Sequence, residues 1–165
     1  MAEENQDQGA AAAQESRDAQ MIVQHVFLKD TSYEAKSPHE LEGSEGQPDM
    51  NVNLSQRTNQ VGDDRYEVVL TVTVTAKQGD KTAFLCEVQY GGIFQFSGFT
   101  DQQMPYVLNV LCPNVLFPYN RTQISNIVSA GGYFMPPIQP INFESIFRQR
   151  MAEAQASQPD QTGQA

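Results

Sequence analysis

Catalysis and metal binding need converging histidine, cysteine or carboxylate side chains, and this 165-residue chain offers few such groupings. Its two histidines, His25 and His39, are not joined by any further histidine at metal-ligand spacing. Its two cysteines, Cys86 and Cys112, lie inside apolar segments, where a thiol usually serves as a small buried hydrophobe. Glycine-rich phosphate-binding motifs are also missing from the sequence. These residues therefore predict a protein that binds and does not catalyse, with no cofactor and no metal.

Carboxylates recur at even spacing in two segments that resemble strands. In the first segment Asp30, Ser32 and Glu34 share one side of an extended chain, because successive side chains alternate between the two faces of a strand. In the second segment Leu85 and Glu87 share a side in the same way. Carboxylates on separate strands can combine into an acidic patch on one face of a sheet. Such a patch is a candidate docking surface, although most are only solvated faces.

The acidic charge is concentrated in the first third of the chain. The formal net charge is −10; residues 1–64 carry thirteen acidic and four basic side chains, whereas residues 65–152 carry five and six. This distribution disfavours nucleic acid or an anionic membrane as a partner and favours a basic one, although acidic excess also simply keeps proteins soluble. The first twenty residues lack the pattern of a signal peptide, and no apolar run is long enough to cross a bilayer. We therefore expect a cytoplasmic protein with no membrane insertion.

Four segments have the patterns of strands, at 22–34, 50–58, 65–76 and 81–96. The third is the clearest, because apolar residues at even positions alternate with threonines in LTVTVT, residues 70–75. The short turn KQGDK predicts that the third and fourth strands form a hairpin. Gly91 and Gly92 predict a bulge or bend in the fourth strand. The Pro-, Gly- and acid-rich stretch between the first two strands predicts a surface loop that crosses to another part of the sheet.

The last third of the chain has helical periodicity. A capping-box pattern at Thr100–Gln103 predicts the start of a helix, delayed by Pro105 and ended by the Cys112-Pro113-Asn114 triplet. A second helix is expected over 120–130 and a third after Asn142 as its cap. Strands followed by helices predict an α+β fold, a four-stranded antiparallel sheet with helices packed on one face. We expect a disordered acidic arm at 1–20, one folded domain at 21–152 and a flexible tail at 153–165.

Five segments in the folded part, taken together and in order, closely resemble the SecB family of bacterial protein-export chaperones: YEVVLTVTVTA, TAFLCEVQ, GIF, CPNVLFPYNR and PINFESIF. The resemblance runs from about residue 20 to residue 149. It implies a homotetramer built as a dimer of dimers. It also implies an ATP-independent holdase that binds unfolded secretory precursors, keeps them translocation-competent and delivers them to the SecA motor of the Sec translocase.

The resemblance also implies roles for particular residues. The family's contacts with SecA, partly with its basic, zinc-containing C-terminal segment, fall on Asp30, Glu34, Leu85 and Glu87, the side chains that the alternation pattern places together. Its client-groove residues on the second strand fall on Met50, Val52 and Leu54. The inward-facing residues of the fourth strand, toward the helices and the tetramer contacts, are Phe84, Cys86, Val88 and Tyr90.

The chain departs from the family pattern in the crossing loop. That loop usually holds a Trp and a Phe, whereas this chain has no Trp and offers only Leu41 nearby, and Tyr90 replaces a common Gln. We therefore expect an altered aromatic end of the client groove. Two alternatives remain. The first is an enzyme or small-ligand module with a similar α+β fold, which would need a cluster of polar side chains at its site. The second is a general stress holdase unconnected with export, which would have no need of the residues assigned to SecA.

Overall fold

The computed structural model describes residues 18–44 and 46–157, which form one antiparallel sheet and a helical layer. The elements in chain order are β1 (Gln20–Ala35), a 3₁₀ turn (Pro38–Leu41), β2 (Asp49–Gly62), β3 (Arg65–Gln78), β4 (Lys81–Ser97), α1 (Met104–Tyr106), a π-helical segment (Val107–Leu111), α2 (Cys112–Ala130) and α3 (Phe143–Ala156). The strand order is β1-β4-β3-β2, with every pair antiparallel. The predicted α+β class is therefore confirmed.

The two strands joined by the crossing loop, β1 and β2, are the opposite edges of the sheet. The loop reaches from one edge to the other by passing the β3–β4 hairpin. Lys81 Nζ donates a hydrogen bond to the Glu40 carbonyl at 3.2 Å, and Gln78 Nε2 donates to the Ser44 carbonyl at 3.1 Å. The hairpin itself turns at Gly79, whose φ of 59° favours glycine. The predicted hairpin and the predicted crossing loop are both present.

The core lies between the sheet and α2. Along β3, Val68, Leu70, Val72 and Val74 are buried, whereas the threonines between them are only partly covered. Burial of this apolar face, at roughly 25 cal/mol for each Å² removed from water, is what holds the helical layer on the sheet.

One buried polar residue fixes where α2 sits on the sheet. Asn120 is fully buried, and its side-chain Nδ2 donates hydrogen bonds to the carbonyls of Leu70 at 3.1 Å and Val88 at 2.8 Å. Those carbonyls belong to neighbouring strands, β3 and β4. The amide therefore clamps the helix to both strands at once, since a shift of the helix would leave a buried donor without a partner.

Gly91 and Gly92 do not interrupt β4, so the predicted bulge in that strand is wrong. Near the glycines the register shifts lie on the neighbouring strand β1, between Val23 and His25 and between Leu28 and Asp30, and the irregularity of β4 itself falls at Ala83. The glycines instead make room for side chains: a Cβ on Gly91 would lie 2.6 Å from the Phe27 ring, and one on Gly92 would lie 2.5 Å from the Phe94 ring. The pair signals close packing on both faces of the sheet.

The helix does not end at Cys112-Pro113-Asn114, so that predicted break is also wrong. The first part of the prediction is confirmed: Gln103 Oε1 accepts a hydrogen bond from the Thr100 amide at 2.9 Å, and the regular helix begins at Met104, with Pro105 in its first turn. From there α1, the π-helical segment and α2 follow one another without a gap to Ala130.

A widened turn explains why Pro113 is tolerated. In the π-helical segment the Cys112 amide bonds to the Val107 carbonyl, five residues back. In the same register the Leu108 carbonyl would accept a hydrogen bond from the amide of residue 113. That bond cannot form, because Pro113 has no amide hydrogen to donate. Gln56 of β2 supplies the missing donor, since its Nε2 donates to the Leu108 carbonyl at 2.9 Å.

The third helix begins where the sequence predicts, because Asn142 Oδ1 accepts a hydrogen bond from the Ser145 amide at 2.9 Å. It continues to Ala156, so residues 153–156, assigned to the flexible tail, are helical here; alanine, glutamate and glutamine are good helix formers. The rest of that tail, and residues 1–17 of the predicted arm, lie outside the described residues. Within the described part of the chain, no helix is both long and apolar enough to span a membrane.

Candidate binding surfaces

The pairing of β1 with β4 brings the four predicted SecA contacts together on the sheet face opposite α2. Glu34 lies directly across from Leu85, Ser32 from Glu87, and Asp30 from Gln89. Directly paired residues share a face of the sheet, so these side chains form three adjacent rows. We call this surface, made of Asp30, Glu34, Leu85 and Glu87, the acidic face.

The carboxylates of the acidic face are not neutralised. None of the described residues forms an ion pair with Asp30, Glu34 or Glu87. Lys29, although next to Asp30 in the chain, pairs with Glu67 of β3 instead. Three negative charges without an ion-pair partner among the described residues therefore lie on one half of the outer sheet, a charge pattern that favours basic ligands.

The carboxylates differ in how firmly they are held. Glu87 is half-buried, and its Oε2 accepts a hydrogen bond from Thr73 Oγ1 at 2.9 Å, while its Oε1 accepts from Gln89 Nε2 at 3.4 Å. Asp30 is exposed and accepts one local bond, from the Thr31 amide at 2.9 Å. Glu34 is exposed. Both oxygens of Glu87 are thus fixed by neighbouring side chains.

On the helical side, β2 forms one wall of an apolar groove. Met50, Val52 and Leu54 pair with buried residues of β3 and are themselves half-buried, so each presents apolar surface beside the sheet edge. The connector between α2 and α3 forms the other wall. Two clefts, of about 570 Å³ and 330 Å³, both border Met50, and we call the pair the groove. Leu54 borders neither cleft and instead lines a small separate pocket with Phe143 of α3.

Phe134 is a groove residue that the family resemblance did not assign. It is 83 % exposed, the largest exposure among the large hydrophobic residues that the structure describes, and it borders the larger cleft with Leu41 and Met50. The neighbouring Tyr133 is anchored, because its hydroxyl donates to the Lys36 carbonyl at 2.6 Å. The sequence signal for Phe134 is its position in an irregular segment, between a glycine pair and a proline pair, where no helix or strand covers the ring.

The inward residues of β4 fall into two groups. Phe84, Cys86 and Val88 are completely covered within one chain, by the helices and the rest of the core. Tyr90 is half-buried, with its ring 5.5 Å from that of Tyr119 on α2, beside a cleft of about 320 Å³. Of the four, only Tyr90 has substantial side-chain surface left for another molecule.

The two cysteines are buried in the core. Burial raises the pKa of the Cys86 thiol to about 11 and that of Cys112 to about 12, so both are protonated and inert near neutral pH. Within residues 18–44 and 46–157, no group of three histidine, cysteine or acidic side chains could hold a metal ion.

Comparison with known proteins adds three findings. The family described as preprotein translocase subunit SecB matches residues 14–154. The protein-export protein SecB of Alkalilimnicola ehrlichii is 41 % identical over 157 residues, covering 95 % of this chain and 84 % of the relative. The SecB-like chaperone of Mycobacterium tuberculosis, solved with a peptide from the HigA1 antitoxin, has a TM-score of 0.53 at 11 % identity, covering 73 % of this chain and 89 % of that one. This last likeness shows the fold.

Proposed function

This chain belongs to the SecB family, and from that premise we propose that it is an ATP-independent holdase of protein export. It binds unfolded secretory precursors in the cytoplasm, keeps them translocation-competent and delivers them to SecA. SecB is a chaperone family and not an enzyme family. The folded domain of about residues 21–152 carries this activity.

The observation that carries the proposal is the separation of two unlike surfaces by one sheet. The groove along Met50 and Val52 is apolar and lies on the helical side, whereas the acidic face lies on the other side. A carrier needs both, because it must hold a client while its delivery partner binds elsewhere. The groove gives affinity for exposed apolar segments, and the acidic face attracts a basic segment.

Client selection follows from mass action and needs no sequence code. An unfolded chain presents apolar side chains that the groove can bury, at roughly 25 cal/mol for each Å² removed from water, whereas a native chain has hidden them. Phe134 provides an exposed aromatic wall at the end of the groove near Leu41, where the crossing loop has no Trp. We assign Phe134, Met50, Val52 and Leu54 to client binding.

Delivery is assigned to the acidic face. Its three uncompensated carboxylates suit the basic, zinc-containing C-terminal segment of SecA, and Leu85 offers an apolar contact between them. Affinity for SecA should fall as salt rises, since the charges on this face are exposed or half-buried.

The assembly proposed is a homotetramer, a dimer of dimers. Tyr90 is the inward β4 residue with surface free to touch another copy, and its cross-strand neighbour Leu28 is 42 % exposed on the edge strand β1. Phe84, Cys86 and Val88 support such contacts indirectly, by fixing the position of the strand in the core. Several grooves on one assembly then add avidity for a long client.

The experiment that tests the function is light scattering during refolding of a denatured, slow-folding precursor, with this protein in molar excess and no nucleotide. We expect aggregation to be suppressed in proportion to the protein added. Unchanged aggregation, from a preparation shown by circular dichroism to be folded, would contradict the holdase proposal.

A further inference from the structure

Glu87 differs from the other two carboxylates of the acidic face in being held by its neighbours on both oxygens. Thr73 lies directly across from it on β3, and the Thr73 hydroxyl donates to Glu87 Oε2 at 2.9 Å. Gln89, two residues along β4, donates to Oε1 at 3.4 Å. Thr73 is β-branched and partly covered in a central strand, so its hydroxyl is itself held in place.

This arrangement has two consequences for binding a cation. A carboxylate already held in one orientation loses little side-chain freedom when a partner arrives, so more of the contact energy appears as affinity. Each carboxylate oxygen has more than one acceptor site, so a bond from Thr73 leaves capacity for an incoming ammonium or guanidinium group. Asp30 and Glu34, which are exposed, contribute mainly long-range attraction.

We propose that Thr73 is a positioning residue that fixes Glu87 as the anchor of the acidic face, while Asp30 and Glu34 act as steering charges. The inference rests on the proposed function, because it takes SecA as the partner of this face. It divides residues of one patch into two physical roles: the anchor sets how long the partner stays, and the steering charges set how fast it arrives.

The test measures SecA association and dissociation rates at several salt concentrations. Thr73→Val keeps the branched shape and removes only the hydroxyl. We expect affinity to fall about three- to tenfold through faster dissociation, because Glu87 must then be immobilised when the partner binds. The dependence on salt should stay at the wild-type value, because no charge has changed. Thr73→Ser, which restores the hydroxyl, should return the affinity to near the wild-type value.

Thr75→Val is the matched control, since Thr75 occupies the next outward position of β3 and pairs with Leu85. It should bind SecA as the wild type does. Glu34→Gln should slow association and weaken the salt dependence. Wild-type affinity in Thr73→Val, or a loss in Thr73→Ser equal to that in Thr73→Val, would overturn the positioning role.

Glu87→Lys, measured alongside, separates failure of this inference from failure of the proposed function. If Glu87→Lys binds SecA normally, the acidic face is not the SecA site, and the delivery assignment falls together with this inference. If Glu87→Lys abolishes binding while Thr73→Val has no effect, only the positioning role is lost.

Discussion

At the residue scale, the two cysteines show how burial turns a reactive side chain into a structural one. Cys86 and Cys112 have no exposed surface, and burial raises the pKa of Cys86 to about 11 and that of Cys112 to about 12, above the ordinary value of 9.0. Unfolding returns both thiols to water and to the ordinary pKa. Above about pH 9 the folded state therefore binds more protons than the unfolded state.

This difference predicts a loss of stability in alkali. The free energy of unfolding should be independent of these thiols below about pH 9 and should fall above it, by up to about 1.4 kcal/mol per pH unit for each thiol, until the folded pKa is reached. Urea unfolding at intervals from pH 8 to pH 10.5 measures the slope. Cys112→Ala should be less stable throughout, because it leaves a cavity, but its slope should be smaller by up to one proton. Identical slopes in the two proteins would contradict the assignment.

At the scale of elements, the strands were predictable and the long helix was not. Alternation of apolar and threonine residues in β3 is a local signal, and local signals predict strands and the hairpin at Gly79 well. Tolerance of Pro113 depends instead on Gln56, which is distant in the chain and becomes a neighbour only in the folded protein. A sequence scan sees the proline but cannot see its compensating donor.

Gln56 therefore should matter to the helix more than to its own strand. Replacing it by Met keeps the length of the side chain and removes the donor, which leaves the Leu108 carbonyl without that bond. We expect a loss of about 1–3 kcal/mol in the free energy of unfolding, measured by urea denaturation. Hydrogen exchange should also become faster in the π-helical segment.

Ser55→Ala is the matched control for Gln56, since Ser55 is the adjacent residue on the opposite, outer face of β2. It should leave both the stability and the exchange rates near the wild-type values. Equal effects of the two substitutions would mean that the Gln56–Leu108 bond does not support the helix.

The candidate surfaces also divide into features with a local sequence signal and features that depend on tertiary packing. Alternation in β1 and β4 predicts which side chains share a face, because a strand has a strict period of two, and the register places Asp30, Glu34, Leu85 and Glu87 accordingly. The exposed ring of Phe134 was not assigned to the groove, because it lies in a connector without periodicity, where the composition signals an irregular segment but exposure is decided by packing against β2. The roles of all these residues in binding stay predictions.

At the scale of the whole molecule, the sheet separates the groove from the acidic face, so the two activities should be separable by substitution. Glu87→Lys reverses one charge of the acidic face and should abolish SecA binding while client capture is retained. Phe134→Ser removes an exposed ring, so it should not affect folding, and should weaken client binding by up to about tenfold, the value of burying much of one aromatic side chain. Equilibrium titrations of each variant with SecA and with an unfolded precursor measure both affinities.

Two further variants distinguish a true separation from general damage. Gln155→Ser changes an exposed residue near the end of α3 that borders neither cleft of the groove, and it should alter neither affinity. The double variant, Glu87→Lys with Phe134→Ser, should lose SecA affinity as Glu87→Lys does and client affinity as Phe134→Ser does. Each loss should keep its single-variant size, because sites on opposite faces of one sheet share no contacts. If Glu87→Lys instead loses clients and keeps SecA, the two surfaces have been assigned the wrong way round. If either single variant loses both partners while remaining folded, the sheet does not separate the two activities, and client and SecA must compete for one surface.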